Sequence, residues 1–256
     1  MPNPTAIIQA RMASSRLPGK VMKEICGKPM LAWVADRARQ AKAIDSILVA
    51  TTLDPSDDVI ASFCALSGIP IFRGDPLDVL DRYYQAALRN NADPVIRLTA
   101  DCPLIDPSLI DSMVGMFSEM NVDFIANRLP PPFQRTYPIG LDIEICSFQA
   151  LASAWQLAKE PFEREHVMPY IYTHKDQFNI HVVNAERDYG NLRWTVDTPQ
   201  DLEFIKKVIE HMHCRLDFSW HDVLKLVQDH PELSKINAGT RHKTLHDVDD
   251  RMTDKD

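Results

Sequence analysis

The sequence predicts an α/β fold: a mostly parallel sheet with helices on both faces. Over the first two-thirds of its 256 residues, short apolar β-prone runs alternate with stretches of helical periodicity, as consecutive strand–helix–strand units do. The segments richest in reactive side chains fall where those strands end, and open sheets of this kind bind ligands beyond the carboxyl ends of their strands. The length is enough to bury a sizeable core.

Residues 5–10 read as a buried strand, and residues 28–40 as a helix with Met30, Leu31, Val34 and Ala38 at helical spacing. A strand at 46–51 ("SILVAT"), a helix at 57–66 and a short strand at 70–72 follow. The helix expected over 77–89 turns Val79, Leu80, Tyr83, Ala87 and Leu88 inward, and "PVIRLT" at 94–99 is the next strand. A helix at 107–117 and a strand at 123–126 continue the alternation. It then breaks at "RLPPPFQRTYPIG", whose prolines mark a long loop or exposed arm over about 128–140. "LDIEI" puts Leu141, Ile143 and Ile145 on one face and Asp142 and Glu144 on the other. Helices at 147–158 and 162–174 lead to strands at 180–183 and 192–196. A further helix opens with Thr198 as N-cap and Pro199 at its first position. Beyond about residue 234 the chain is charged and poor in apolar residues, so it is expected to fray. No internal repeat or low-complexity linker interrupts it.

A net charge of −8 argues against a nucleic-acid polymer as partner. No apolar stretch reaches membrane-spanning length, and "MPNPTAIIQA" reads as a strand, not a signal peptide. The five cysteines are scattered and lack CxxC spacing, which suggests reduced thiols, a cytoplasmic location and no zinc site.

Against this acidic background, "QARMASSRLPGKVM" concentrates Arg11, Arg16 and Lys20 directly after the first strand. It is not a Walker A loop: with Gly19-Lys20 aligned, Ser14 replaces the first glycine and Val21 the metal-binding hydroxyl. The eight glycines include no GxG, which argues strongly against a dinucleotide fingerprint. A cationic loop with serines and one glycine suits a triphosphate, although charge alone leaves a solvated surface loop equally open. Asp101 and Asp197 each end a predicted strand, and paired carboxylates suit a nucleotide-bound Mg²⁺. Capping of the next helix is the competing reading for Asp197. For Asp142 and Glu144, a solvent-facing strand face competes with a substrate or metal role. His166 is read either as an ordinary helix histidine or as a direct participant.

"ARMASSRLPGKVMKEICGKPML", "VATT", "FRGDPLDVLDRYYQAA", "RLTADCPLIDP", "YPIGLDIEI", "REHVMPYIY" and "LRWTVDTPQDLEF" together resemble the spore coat polysaccharide biosynthesis protein F family, which belongs with the sugar-acid cytidylyltransferases. The first motif is also similar to 3-deoxy-manno-octulosonate and acylneuraminate cytidylyltransferases. The resemblance runs from about residue 5 to residue 209. It implies a nucleotide-diphospho-sugar transferase fold, GT-A-like and Rossmann-like. It also implies an activity, the coupling of CTP to a sugar with release of pyrophosphate. The resemblance further implies that Arg11, Ser15, Arg16 and Lys20 form the triphosphate loop. Lys20, Arg11 and Asp101 would be catalytic, and Asp101 and Asp197 would hold Mg²⁺. Thr51, Arg73 and Asp81 fall in segments lining the base and ribose, a looser match. Tyr137, Asp142, Glu144, Arg164, His166 and Arg193 fall where the acceptor should lie. Residues 1–211 would be the nucleotidyltransferase domain, and 212–256 a helical extension and tail. A homodimer is expected, built partly from the arm through Leu129, Phe133 and Tyr137. The competing readings are a glycosyltransferase of the same fold using a finished nucleotide sugar, and a non-catalytic polysaccharide or coat assembly protein.

Overall fold

The computed structural model describes residues 2–240. In chain order the elements are β1 (Thr5–Gln9), β2 (Glu24–Ile25), β3 (Lys28–Pro29), α1 (Met30–Ala38), β4 (Ser46–Thr52), α2 (Asp58–Leu66), β5 (Ile71–Gly74), α3 (Val79–Asn90), β6 (Val95–Thr99) and α4 (Pro107–Met120). They continue with β7 (Phe124–Ala126), β8 (Glu144–Cys146), α5 (Phe148–Leu157), α6 (Pro161–His166), α7 (Pro169–Thr173), β9 (Ile180–Val182), α8 (Pro199–His211), α9 (Trp220–Asp229) and α10 (Pro231–Lys235). Seven strands form one sheet in the order β5-β4-β1-β6-β8-β7-β9, in which β8 alone runs against the others.

Alternation along the strands builds two cores. Ala6, Ile8, Val49, Ile96 and Leu98 pack with α1, α2, α4, α8 and α9 on one face. Ile7, Leu48, Ala50 and Val95 pack with α3, α5 and α7 on the other. Burial on both faces explains the near-continuous apolar runs of the central strands. The segment after α8 joins the first core through Phe218 and Trp220. Arg37, fully buried in α1, anchors it by donating to the carbonyls of Ile105, Leu216 and Phe218.

Several expectations are corrected. The helix expected over 162–174 is two short helices: Val167 sits at φ 72°, and Pro169 has no N–H to continue the ladder. Residues 192–196 form no ladder strand. Trp194 and Val196 serve the core, and Arg193 makes only a single bridge to Ile139. Leu88 is 47% exposed rather than inward. The arm does not present its apolar groups to solvent: Leu129 and Tyr137 are buried and Phe133 packs on the second core. That removes the apolar argument for its role in a dimer. Fraying does not begin at residue 234, because Asn237 is buried and donates to Arg193 O and Asp201 Oδ1, both at 3.0 Å. The remainder of the expected tail, 241–256, lies outside the described residues. The cysteines are not all reduced either. Cys26 and Cys214 form a disulfide, and Cys64, Cys102 and Cys146 are free and buried. No helix among the described residues is long and apolar enough to cross a membrane.

Candidate active site

The loop after β1 is held in shape by local chemistry. Gly19 adopts φ 68°, a left-handed conformation that glycine accepts without strain, and its N–H closes the loop on Met12 O at 2.9 Å. Met12 N in turn donates to Asp57 Oδ1 at 2.7 Å. The other oxygen of that buried carboxylate accepts from the Thr51 hydroxyl and from both the N–H and hydroxyl of Thr52. Asp57 therefore ties the cationic loop to the end of β4.

The loop turns Lys20 across the carboxyl edge of the sheet. Ala100 N bonds Gln9 O, and Val196 N bonds Asp101 O at 2.9 Å, so the segments bearing Asp101 and Asp197 lie side by side. The Lys20 ammonium donates to Asp101 Oδ2 at 2.7 Å, Asp197 Oδ1 at 2.8 Å and Val196 O at 2.9 Å. Arg16 reaches Asp197 Oδ2 at 3.0 Å and Arg193 reaches the same oxygen at 2.7 Å. Arg193 Nε also donates to Asp201 Oδ1 at 2.9 Å. Three cations thus interleave with three carboxylates.

The electrostatics follow from this alternation. Burial alone would lower the pKa of Lys20, but Asp101 and Asp197 outweigh it and the net shift is upward. Burial alone would raise the carboxyl of Asp197, yet Lys20, Arg16 and Arg193 hold it well below the usual range. Asp201 is likewise depressed, because Arg193 and Asn237 overcome its desolvation. A carboxyl with a depressed folded-state pKa stabilises the fold above its ordinary titration range and loses that contribution as pH falls. Asp201→Asn is therefore expected to cost about 2 kcal/mol at pH 7, as loss of charged hydrogen bonds does. The gap from wild type should narrow as pH drops below about 4. Urea unfolding at pH 7 and at acid pH measures it, and a gap independent of pH would contradict the expectation.

The other sequence-predicted residues are placed as follows. Ser15 is exposed on the loop, and the fully buried Arg82 has its guanidinium pKa lowered chiefly by burial, with the positive charge of Arg11 adding to the effect. Thr51 spends its hydroxyl on Asp57. Arg73 spans Thr52 O at 2.8 Å, Asp54 O at 3.1 Å and Asp58 at 2.8 Å, shaping the end of β4. Asp81, in the first turn of α3, accepts from Trp155 Nε1 at 2.8 Å. Arg164 clamps α6 onto Asp78, the N-cap of α3, and donates to Trp155 O. His166 is half-buried at the end of α6. Tyr137 packs against Trp220 with ring centroids 5.6 Å apart.

Asp142 pairs with Arg135. Glu144 is buried against Arg97, its register partner on β6, which rules out a solvent-facing strand face for that residue. Lys20, Arg16, Asp101, Asp197 and Arg193 thus share one cluster, whereas Asp81 and Arg164 are engaged elsewhere. Asp57, Asp201 and Arg97 were not singled out by sequence. Only Asp201 left a signal, three residues after the N-cap Thr198, where it completes a reciprocal capping box.

For a metal, the relevant observation is that one oxygen from each of Asp101 and Asp197 lies within hydrogen-bond reach of a single ammonium, so both address one cation position. Hard carboxylate oxygens fit Mg²⁺. Among the described residues no group of three or more His, Cys, Asp or Glu could hold an ion by itself. Such a site would take its remaining ligands from phosphate and water.

Comparison with known proteins adds an independent line. A family model described as cytidylyltransferase matches residues 5–223. The spore coat polysaccharide biosynthesis protein SpsF of Bacillus subtilis is 31% identical over 234 residues, 88% of this chain and 94% of that protein. The 3-deoxy-manno-octulosonate cytidylyltransferase of Syntrophotalea carbinolica is 37% identical over 115 residues, 45% of each chain. Among solved structures, a cytidylyltransferase from Leptospira borgpetersenii superimposes with a TM-score of 0.86 at 32% identity, covering 95% of this chain and 100% of that one.

Proposed function

The chain belongs to the cytidylyltransferase family, and from that premise we propose that it transfers CMP from CTP to a hydroxyl of a sugar acid, releasing pyrophosphate. The observation that carries this reading is the convergence of Lys20 and Arg16, from the loop after β1, on two carboxylates, Asp101 just past β6 and Asp197 just before α8. A glycosyltransferase has no need of a cationic loop for a departing pyrophosphate. Likeness to the 3-deoxy-manno-octulosonate cytidylyltransferase supports a sugar acid as the acceptor.

In the reaction, the acceptor oxygen forms a bond to the α-phosphorus as the α–β bridging bond breaks. The electron pair of that bond leaves with pyrophosphate, and the acceptor hydroxyl gives up its proton to water. Negative charge builds on the equatorial and leaving oxygens, so positioning and cationic groups supply most of the catalysis. Lys20 and Arg11 would stabilise that charge, Arg16 would bind the phosphates, and the exposed Ser15 hydroxyl would donate to a phosphate oxygen. Asp101 and Asp197 would hold Mg²⁺, which when bound polarises phosphate oxygens and offsets charge on the leaving group. Arg193 keeps Asp197 aimed by bridging it to Asp201. The nucleoside is assigned to the edge between β1 and β5, where Arg73 and the Thr51–Asp57 contact shape the backbone. Asp142 and His166 are assigned to the acceptor.

The test is a screen of the four nucleoside triphosphates against sugar acids and sugar phosphates, read by pyrophosphate release. CTP with a sugar acid is the expected pair. Turnover of UTP or GTP with a sugar 1-phosphate, at least as fast as any CTP and sugar-acid pair, would overturn the substrate assignment. Transfer from a finished nucleotide sugar without pyrophosphate would favour the glycosyltransferase.

A further inference from the structure

We propose that Lys20 is a built-in counter-ion for the cation position between Asp101 and Asp197, so that a divalent metal enters this site together with the nucleotide's phosphates and not before them. The proposal rests on the reading of those two aspartates as metal ligands. It begins from geometry. The ammonium has three protons and three acceptors, one oxygen from each aspartate and the Val196 carbonyl, all within 2.9 Å. Its side chain is only 12% exposed, so it is held in place rather than trailing in solvent. A metal bridging the two carboxylates from the side on which they converge uses the same two oxygens at shorter range, about 2.0–2.1 Å for Mg²⁺, since Asp197 Oδ2 is already taken by Arg16 and Arg193. Ammonium and metal cannot share them.

Charge points the same way. Lys20, Arg16 and Arg193 balance Asp101, Asp197 and Asp201 within the contacts described. A bare divalent ion would have to displace a satisfied ammonium and leave the cluster with excess positive charge. With no third protein ligand among the described residues, it would gain only two carboxylates in return. Triphosphate oxygens change both sides of the exchange: they complete the metal's coordination and accept the displaced ammonium. Arg16 and Arg193 can stay on Asp197 Oδ2 throughout, so the exchange needs only the Lys20 side chain to move.

The experiment is titration with Mn²⁺ in the absence of nucleotide, following free Mn²⁺ by electron paramagnetic resonance. It compares wild type with Lys20→Met, which keeps the length and loses the charge, and with Lys20→Gln, which keeps polar contacts should the methionine variant fail to fold. Either variant is expected to bind Mn²⁺ at least tenfold more tightly than wild type, and added Mg²⁺ should raise its melting temperature, as any ligand of the native state does. Wild type should bind Mn²⁺ tightly only once CTP is added. Mutating Asp101→Asn as well should abolish the gain. Tight Mn²⁺ binding by wild type without nucleotide, or no gain in either lysine variant, would overturn the proposal. The nucleotide-free arms measure no turnover, so their failure is distinguishable from failure of the CTP and sugar-acid assignment.

Discussion

Asp101→Asn should abolish metal-dependent pyrophosphate release, a loss on the order of 10³-fold, while the protein stays folded. Removal of a metal ligand from a phosphoryl-transfer site takes away several kcal/mol of transition-state stabilisation. The structural cost is small because the carboxylate is a quarter exposed and its ion-pair partner is Lys20. The backbone contacts of Asp101, which accept from Val196 N and the Thr195 hydroxyl, survive the substitution. Asp197 differs, since its carboxylate also anchors Arg16 and Arg193, so its substitution would mix lost chemistry with lost stability. Turnover across a Mg²⁺ titration, paired with a melting curve, checks the expectation for Asp101. A variant that retains full metal-stimulated turnover would remove Asp101 from the metal site.

Gly140→Ala should destabilise the protein by about 4 kcal/mol or more, at the upper end of single-substitution effects. Gly140 sits at φ 110°, and a Cβ there would lie 2.6 Å from both Thr195 N and Trp194 C and 2.7 Å from Trp194 O. These are backbone atoms, so no rotamer change relieves the clash. The neighbouring bonds, Ile139 N to Leu192 O and Trp194 N to Ile139 O, hold the two segments together at that point. Displacement of residues 194–195 would carry Asp197 with it, and activity should fall along with stability. Gly115→Ala is the control: in α4, with nothing within 4 Å of its Cβ, it should be neutral or stabilising by up to about 1 kcal/mol. Urea unfolding of both variants measures the contrast, and equal stability would refute the clash argument.

The parts of this molecule that could be read from sequence are those with a local signature. Thr5 to Gln9, Ser46 to Thr52 and Val95 to Thr99 announce themselves as buried strands, and Lys20, Asp101 and Asp197 as charged groups in the segments that follow apolar runs. What could not be read depends on partners remote in sequence. Alternation in "LDIEI" separates Glu144 from Ile145 but says nothing of Arg97 waiting on the next strand. Trp194 and Val196 alternate as a strand would, yet they join the first core without forming a ladder. Asp57 looks like a helix-start residue, and only the folded chain shows that it holds the phosphate-loop candidate through Met12 N. The Cys26–Cys214 pair had no local sign at all, since 188 positions separate its members.

That pair gives the molecule a topology that its hydrogen bonds do not. From Cys26 to Cys214 the main chain is a covalent ring, with Lys20 on a short stub just outside it and Asp101 and Asp197 carried within it. A peptide bond cut in the 128–140 arm opens the ring but yields no separate fragments. Even in the unfolded chain, as long as the disulfide holds, Lys20 stays tethered within about ten residues of the end of α8, the helix that begins beside Asp197. The denatured chain therefore samples fewer separations between the two halves of its own candidate site than a linear chain of the same length.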